Sequence, residues 1–298
     1  MANPVALEIT ESHEALVGEV TVRRALPRHD RRTIGAWCFA DHMGPVAVTE
    51  ERGLDIGPHP HTGLQTVTWL LEGEELHRDS LGTEQLIQPG QLNLMTAGNG
   101  VAHAEEATGR YQGSLQGIQL WIAQPEATRH GPAAFEHHRE LPQVDLGIGE
   151  ATVLVGSYAG ATSPARHDTE LVGVDLSVQG STTLELEPSF EYGLVVLVGA
   201  VELGGGRLTP GHLGYLAPGR AELGLLADGG TRALLLGGPP FDETIMMWWN
   251  FVARSRLEFE EAARSWETDD GRFGQVGSTL ARLASPPLQG EHPQRGAS

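Results

Sequence analysis

HPHTGLQTVTWLLEG, residues His59 to Gly73, opens with two histidines separated by one proline and then turns abruptly apolar. Side chains two apart on a β-strand point to the same face, so His59 and His61 can aim two imidazoles at one point. The alternation that follows, TVTWLLEG, reads as a strand ending at a glycine turn. An H-x-H pair alone is more often a pair of exposed loop histidines than a ligand pair. The decision rests on what the remainder of the chain places beside it.

Farther along comes TAGNGVAHAEE, Thr96 to Glu106. His103 and Glu105 are again two apart, so on a strand they share a face with Val101, while Ala102 and Ala104 point away. Small apolar residues opposite two polar ones suit a strand whose polar side faces a pocket. Two such pairs converging inside one barrel would present three imidazoles and a carboxylate. Nitrogen and oxygen donors of this kind suit Fe, Mn, Co, Ni, Cu or Zn. Four protein ligands on an octahedral ion leave two positions for substrate, water or dioxygen.

Short runs of period-two alternation recur along the chain: TVTWLLEG, QLNLMTAG, IQLWIA, LVGVDLSV, YGLVVLVG and RALLLGG. Strands at this spacing, parted by Gly and Pro without intervening helices, predict an all-β sandwich or barrel. The halves resemble each other, LLEG…PGQLNLMTAG in the first and LVGAVELGGG…LTPGHLGYLAPG in the second, as a duplicated barrel would. The polar stretch Pro125 to Val144 reads as a linker, with His137 and His138 on its surface. This divides the chain into residues 1–130, a connector 131–144, and residues 145–298. One short helix is expected, over 255–267, from the capping-box spacing of Ser255 and Glu258 and the stripe Phe259, Ala262, Ala263, Trp266. The tail after Ser285 reads as disordered.

At 298 residues, with 39 glycines and 40% hydrophobic content, the chain has room for two globular domains. Its formal charge of −19 withholds the phosphate neutralisation that drives nucleic-acid binding. Every basic residue is arginine, which reports coding bias rather than function. The single cysteine, Cys38, excludes internal disulfides and thiolate-cluster zinc, and reads as a small buried side chain. The opening MANPVALEITESHE has no basic region followed by an apolar one, so no signal peptide is expected, and the longest apolar run, near Leu194 to Val201, is too short for a bilayer. A cytoplasmic monomer with no membrane contact is the expectation.

The paired motifs resemble the pirin family of bicupins: HPHTGLQTVTWLLEG, HRDSLG and QPGQLNLMTAGNGVAHAE. WCFADHMGP, from Trp37, is similar to the family's aromatic-Asp-His-x-Gly-Pro segment, and GGPPFDETIMMWWNFVARSRLEFEEA to its closing strand and helix. The likeness is dense over residues 35–125 and sparser over 230–275. It implies two tandem cupin (jelly-roll) β-barrels with a short C-terminal helix, and one mononuclear metal, iron, in the N-terminal barrel on His59, His61, His103 and Glu105. Where cupins in general carry a glutamate after the second histidine, this chain has Gln65, which bears only on polarity beside the site. The second barrel has PSFE, Pro188 to Glu191, where a ligand pair would stand, so no metal is expected there. His167 and His212 read as surface residues.

Bacterial pirins resemble flavonol dioxygenases acting on quercetin-type substrates with O2, and eukaryotic ones resemble redox-responsive regulators of transcription factors. The resemblance therefore implies a metal-dependent dioxygenase with Glu105 as catalytic proton acceptor, or else a metal-sensing protein that binds a transcription factor or metabolic enzyme. His77, His42 and Gln119 read either as pocket residues or, respectively, as a solvent-facing side chain, a loop histidine and an outer-barrel side chain. Trp37, Trp69 and Trp121 read as core.

Overall fold

The computed structural model describes residues 7–18, 20–49, 53–204 and 206–288. Among these, the strands form sheets of seven, four, ten and two, followed by one helix. The seven-stranded sheet runs in the order Ala134–His138, Leu92–Thr96, Leu64–Glu72, Gly113–Ala123, Trp37–Val48, Val20–Leu26, His13–Val17. Facing it is the four-stranded sheet Ile56–His61, Val101–Glu106, Glu75–Asp79, Glu84–Ile87. Both sheets feed the same apolar clusters: Met95 and Trp121 pack with Val101, and Leu70 and Leu115 pack with Ile56 and Ile87. They make the N-terminal cupin.

The ten-stranded sheet makes the C-terminal cupin, whose inner faces are filled by Val, Leu, Tyr and Phe from Ala151 to Leu235. Between the two cupins lies a third apolar layer, joining Trp37, Val67 and Trp69 to Val195, Leu197, Leu234 and Leu236. Trp37 is its centre. Its Nε1–H points at the carbonyls of Val172 and Gly237, at 3.1 and 3.2 Å. Its ring lies so close to Gly173 that a Cβ there would meet Cζ2 at 2.8 Å. Polar links flank this layer. Glu191 accepts the amide of Gly35 and the hydroxyl of Tyr215, and Asp175 accepts Trp69 Nε1–H and the Arg232 guanidinium.

Three local expectations change. The stretch Pro125 to Val144 is not a bare linker, because Ala134–His138 closes the edge of the seven-stranded sheet against Leu92–Thr96 and Gln143–Asp145 pairs with the second cupin. Its alternation is masked by polar residues that bond inside the protein: His137 Nδ1 lies 2.7 Å from Asn93 Oδ1, and His138 Nε2 lies 3.0 Å from Glu136. At the other end, Glu8–Glu11 pairs with His212–Leu216 of the second cupin rather than with the first. The helix spans Arg256–Thr268 and buries Phe259, Ala262 and Trp266, with Ala263 half-buried. Its capping box does not form. Ser255 makes no side-chain cap bond and donates instead to Glu258, which is also drawn to Arg129 across 129 positions of sequence. Of the tail expected to be disordered, residues 289–298 lie outside the described residues.

Trp37→Ala is expected to cost about 3–5 kcal/mol and to separate the unfolding of the two cupins. Denaturant titration followed by two probes, one in each half, checks this; coincident transitions at an unchanged midpoint would contradict the role assigned to Trp37.

Candidate metal centre

His59 and His61 sit on Ile56–His61, every residue of which is buried, and His103 sits opposite on Val101–Glu106. Antiparallel pairing sets His103 across from His59 and Val101 across from His61. The ligating atoms of His59, His61 and His103 all lie within 4.8 Å of one another.

Each imidazole is held in one tautomer. His59 Nδ1–H donates to the Gly57 carbonyl and His61 Nδ1–H to the Asn250 carbonyl, each at 2.9 Å. His103 Nδ1 lies 3.3 Å from His77 Nδ1, whose Nε2 is 3.1 Å from Asp79 Oδ2. The sense that satisfies all three groups is His103 N–H to His77, and His77 N–H to the carboxylate. Asp79 Oδ1 in turn accepts the amides of Leu81 and Thr83, both at 2.9 Å, so the relay is anchored in the turn. Burial would raise the Asp79 carboxyl, but hydrogen bonds from His77 and Thr83 hold it below its ordinary value.

The Nε2 atoms are thereby left as lone-pair donors, and those of His61 and His103 stand 3.0 Å apart. Two lone pairs at that distance repel unless a cation lies between or beside them. Metal–nitrogen bonds of about 2.1 Å at right angles put two nitrogens about 3.0 Å apart, so these residues fit a transition ion. Burial also keeps the rings uncharged: it pushes His59 down to about 4, and takes His61 and His103 well below the ordinary imidazole range.

Glu105 stands outside the triad's radius but lines the same cavity. The pairing register slips between His103 and Glu105, leaving Glu105 opposite Ile56. Burial raises its carboxyl to about 7. Glu75 is buried deeper, and neither of its carboxyl oxygens has a hydrogen-bond partner. Burial, and then the charge of Glu105, raise it well above the usual carboxylate range.

The cavity measures about 450 Å³. Beside the triad, Trp121 stacks on Phe39 with centroids 4.1 Å apart and meets His61 edge-on at 5.2 Å. Gln119, Asp41 and Arg24 line the same cavity, so Gln119 faces the pocket rather than the outer surface. His77 is buried behind His103, stacked on Phe135, and is not solvent-facing. His42 is neither a loop nor a pocket residue: it lies buried in Trp37–Val48 beside Gln116, its pKa pushed down to about 4 by burial. Gln65 is turned away from the triad, donating to Thr96 Oγ1. Trp37 and Trp69 are core, whereas Trp121 also walls the cavity. Cys38 is buried and points at the Trp121 carbonyl. Asn250, which fixes His61, gave no signal in the sequence, because it acts through its backbone.

The pirin family model matches residues 19–122, and the model of the pirin C-terminal cupin domain matches residues 171–274. This chain belongs to the pirin family. A Pseudomonas aeruginosa protein named "putative quercetin 2,3-dioxygenase" is 46% identical over 94% of this chain and 90% of its own length. A "pirin-like protein" of Caulobacter vibrioides is 34% identical over 84% of this chain and 89% of its own. The crystal structure of a quercetin 2,3-dioxygenase from Acinetobacter baumannii matches with a TM-score of 0.93 and 43% identity, covering 96% of this pirin and 97% of that chain. Among the described residues no helix is long and apolar enough to cross a membrane.

Two outcomes follow from the buried groups of this pirin. Asp79→Asn should lower metal affinity by about 10–100-fold, the usual cost of losing a partner behind a ligating histidine, as read by competition with a chromogenic chelator; unchanged affinity would remove the relay. Glu75 carries a folded-state pKa above its unfolded value, so its stabilising protonated form is fully present below about 4.5 and is lost as pH rises. Glu75→Gln should therefore raise the Tm of metal-free protein more at pH 8 than at pH 5. An equal shift at both pH values would contradict the burial argument.

Proposed function

We propose that this pirin is a metal-dependent dioxygenase of the quercetinase type, acting in the cytoplasm, with iron on His59, His61, His103 and Glu105 and with Glu105 as the proton acceptor. The observation that supports it most is the pair of imidazole nitrogens 3.0 Å apart at the floor of an aromatic-walled cavity. Flavonol and O2 are the proposed substrates, and the reaction opens the flavonol's central heterocycle with release of carbon monoxide. When bound, iron supplies open coordination positions and the positive charge that acidifies the substrate's 3-hydroxyl.

The chain's own residues do the remainder. The three imidazoles hold the ion without adding charge, since burial keeps them neutral. Glu105, the carboxylate lining the cavity beside them, takes the 3-hydroxyl proton onto an oxygen. A carboxylate held in the same cavity as the imidazoles is a general base placed beside the substrate's hydroxyl. The stacked Trp121–Phe39 pair gives that cavity an apolar wall beside the imidazoles, which keeps water from the reacting atoms.

Glu105→Gln keeps the shape of the side chain and can coordinate weakly through its carbonyl. Iron content should fall modestly and flavonol-dependent oxygen uptake should fall about 10²–10⁴-fold. Activity restored fully by added iron would end the proton-acceptor role and leave Glu105 as a ligand alone. His61→Ala should lose most of the metal. Iron-loaded wild-type protein that consumes no oxygen across a panel of flavonols and related enols would overturn the dioxygenase reading in favour of a regulatory binder.

A further inference from the structure

Across the seven-stranded sheet, Arg24, Asp41, Gln119 and Thr68 stand in direct register: Arg24 opposite Asp41, Asp41 opposite Gln119, Gln119 opposite Thr68. They form a polar row on the inner face of a barrel, between the Phe39–Trp121 row and the apolar Val22 and Met43. Polar groups in such a place are costly unless they are bonded. Arg24 grips Asp41 with both ends of its fork, Nε to Oδ1 at 2.7 Å and Nη2 to Oδ2 at 2.6 Å, while its guanidinium lies over the Phe39 ring at 4.6 Å. The Thr68 hydroxyl donates to Gln119 Oε1 at 2.9 Å.

Those bonds consume one side of each group and leave the other. The Gln119 amide nitrogen has no partner among the described residues, and the Asp41 carboxylate keeps lone pairs beyond the two taken by Arg24. Gln119, Asp41 and Arg24 all line the cavity that holds the triad. The spacing is also fixed. Trp121 touches His61, and Gln119 is two residues back along the same strand, about 7 Å away; Asp41 stands in the same relation to Phe39. A flat ligand whose chelating oxygens sit at the triad would pass along Trp121 and Phe39 and bring its far ring to Asp41 and Gln119.

We propose that Asp41 and Gln119, positioned by Arg24 and Thr68, select ligands carrying adjacent hydroxyls on the ring remote from the metal. The inference rests on the flavonol-dioxygenase reading and assigns to these two residues the discrimination between flavonols by their far ring. An acceptor and a two-hydrogen donor on neighbouring strands match a vicinal diol: one hydroxyl donates to Asp41, and its neighbour accepts from Gln119. A flavonol without ring hydroxyls would leave both protein groups desolvated and unpaired, the arrangement by which sites reject analogues most strongly.

The test compares quercetin with 3-hydroxyflavone, which has the same chelating oxygens and no ring hydroxyls. Dissociation constants are measured on iron-loaded protein without oxygen, by quenching of tryptophan fluorescence, and KM and kcat by oxygen uptake. Wild type should favour quercetin, and Gln119→Leu should reduce that preference by about tenfold, in KM and Kd rather than kcat and with iron content unchanged. Should Gln119→Leu fail to fold, Thr68→Val, which frees the Gln119 amide to rotate, should erode the same preference. A variant that weakens both ligands equally, or neither, overturns the assignment of the row while leaving the dioxygenase reading intact. Wild-type protein that neither binds nor oxidises either flavonol overturns the reading and the inference with it.

Discussion

Two imidazole nitrogens, each bearing a lone pair, are held 3.0 Å apart in the interior of a barrel. That arrangement is unfavourable by itself, and the rest of the site is organised around maintaining it. Each ring must be neutral, which burial ensures, and each must spend its one N–H on an acceptor facing away from the centre. Three acceptors from three different parts of the chain are needed: the Gly57 carbonyl, the Asn250 carbonyl and the His77–Asp79 relay. The ligand strands therefore cannot form a competent site alone. They need structure behind them.

That structure includes the far end of the sequence. After the second cupin the chain returns to the first, pairing Val252 N–H with the Thr62 carbonyl and bringing Asn250 to His61. The hairpin Met246–Trp248 with Phe251–Ala253 then hands over to the helix, whose Phe259 and Trp266 pack against Phe251 and Ala102, behind His61 and His103. Farther on, Leu283 N–H donates to the Pro58 carbonyl, between Gly57 and His59. Gly57 tolerates this because a Cβ there would strike the Ala281 carbonyl. The C-terminal segment thus acts as an outer brace for the strand that carries two of the three imidazoles.

The triad was legible because period-two alternation converts directly into shared faces: His59 with His61, and Val101 with His103. The all-β architecture was legible for the same reason. What stayed hidden was polar sequence that faces inward. Glu75, His77 and Asp79 alternate as perfectly as any apolar strand, yet ELHRD reads as solvated until a cavity is known to lie on one side. AFEHH reads as linker for the same reason, although its Phe135 stacks on His77. Ser255 and Glu258 have the spacing of a capping box, but spacing cannot reveal that Arg129 claims the same carboxylate. The Asn250 carbonyl has no side-chain signature at all.

The two barrels divide the physical requirements of one site. An interior holding a cavity, four imidazoles, two carboxyls and a half-buried ion pair forgoes the dispersion contacts that stabilise an ordinary core. The N-terminal cupin has all of these, and the C-terminal cupin is filled by close-packed Val, Leu and aromatic side chains. Joining them through Trp37 and the layer around it lets the well-packed barrel hold the outer face of the sheet whose inner face carries the polar row. Asp41, Gln119 and Trp121 stand on that sheet, so the rigidity that sets their distance from the triad is supplied from outside their own barrel. The duplicate that carries no histidine pair before Tyr192 contributes to the site by being dense.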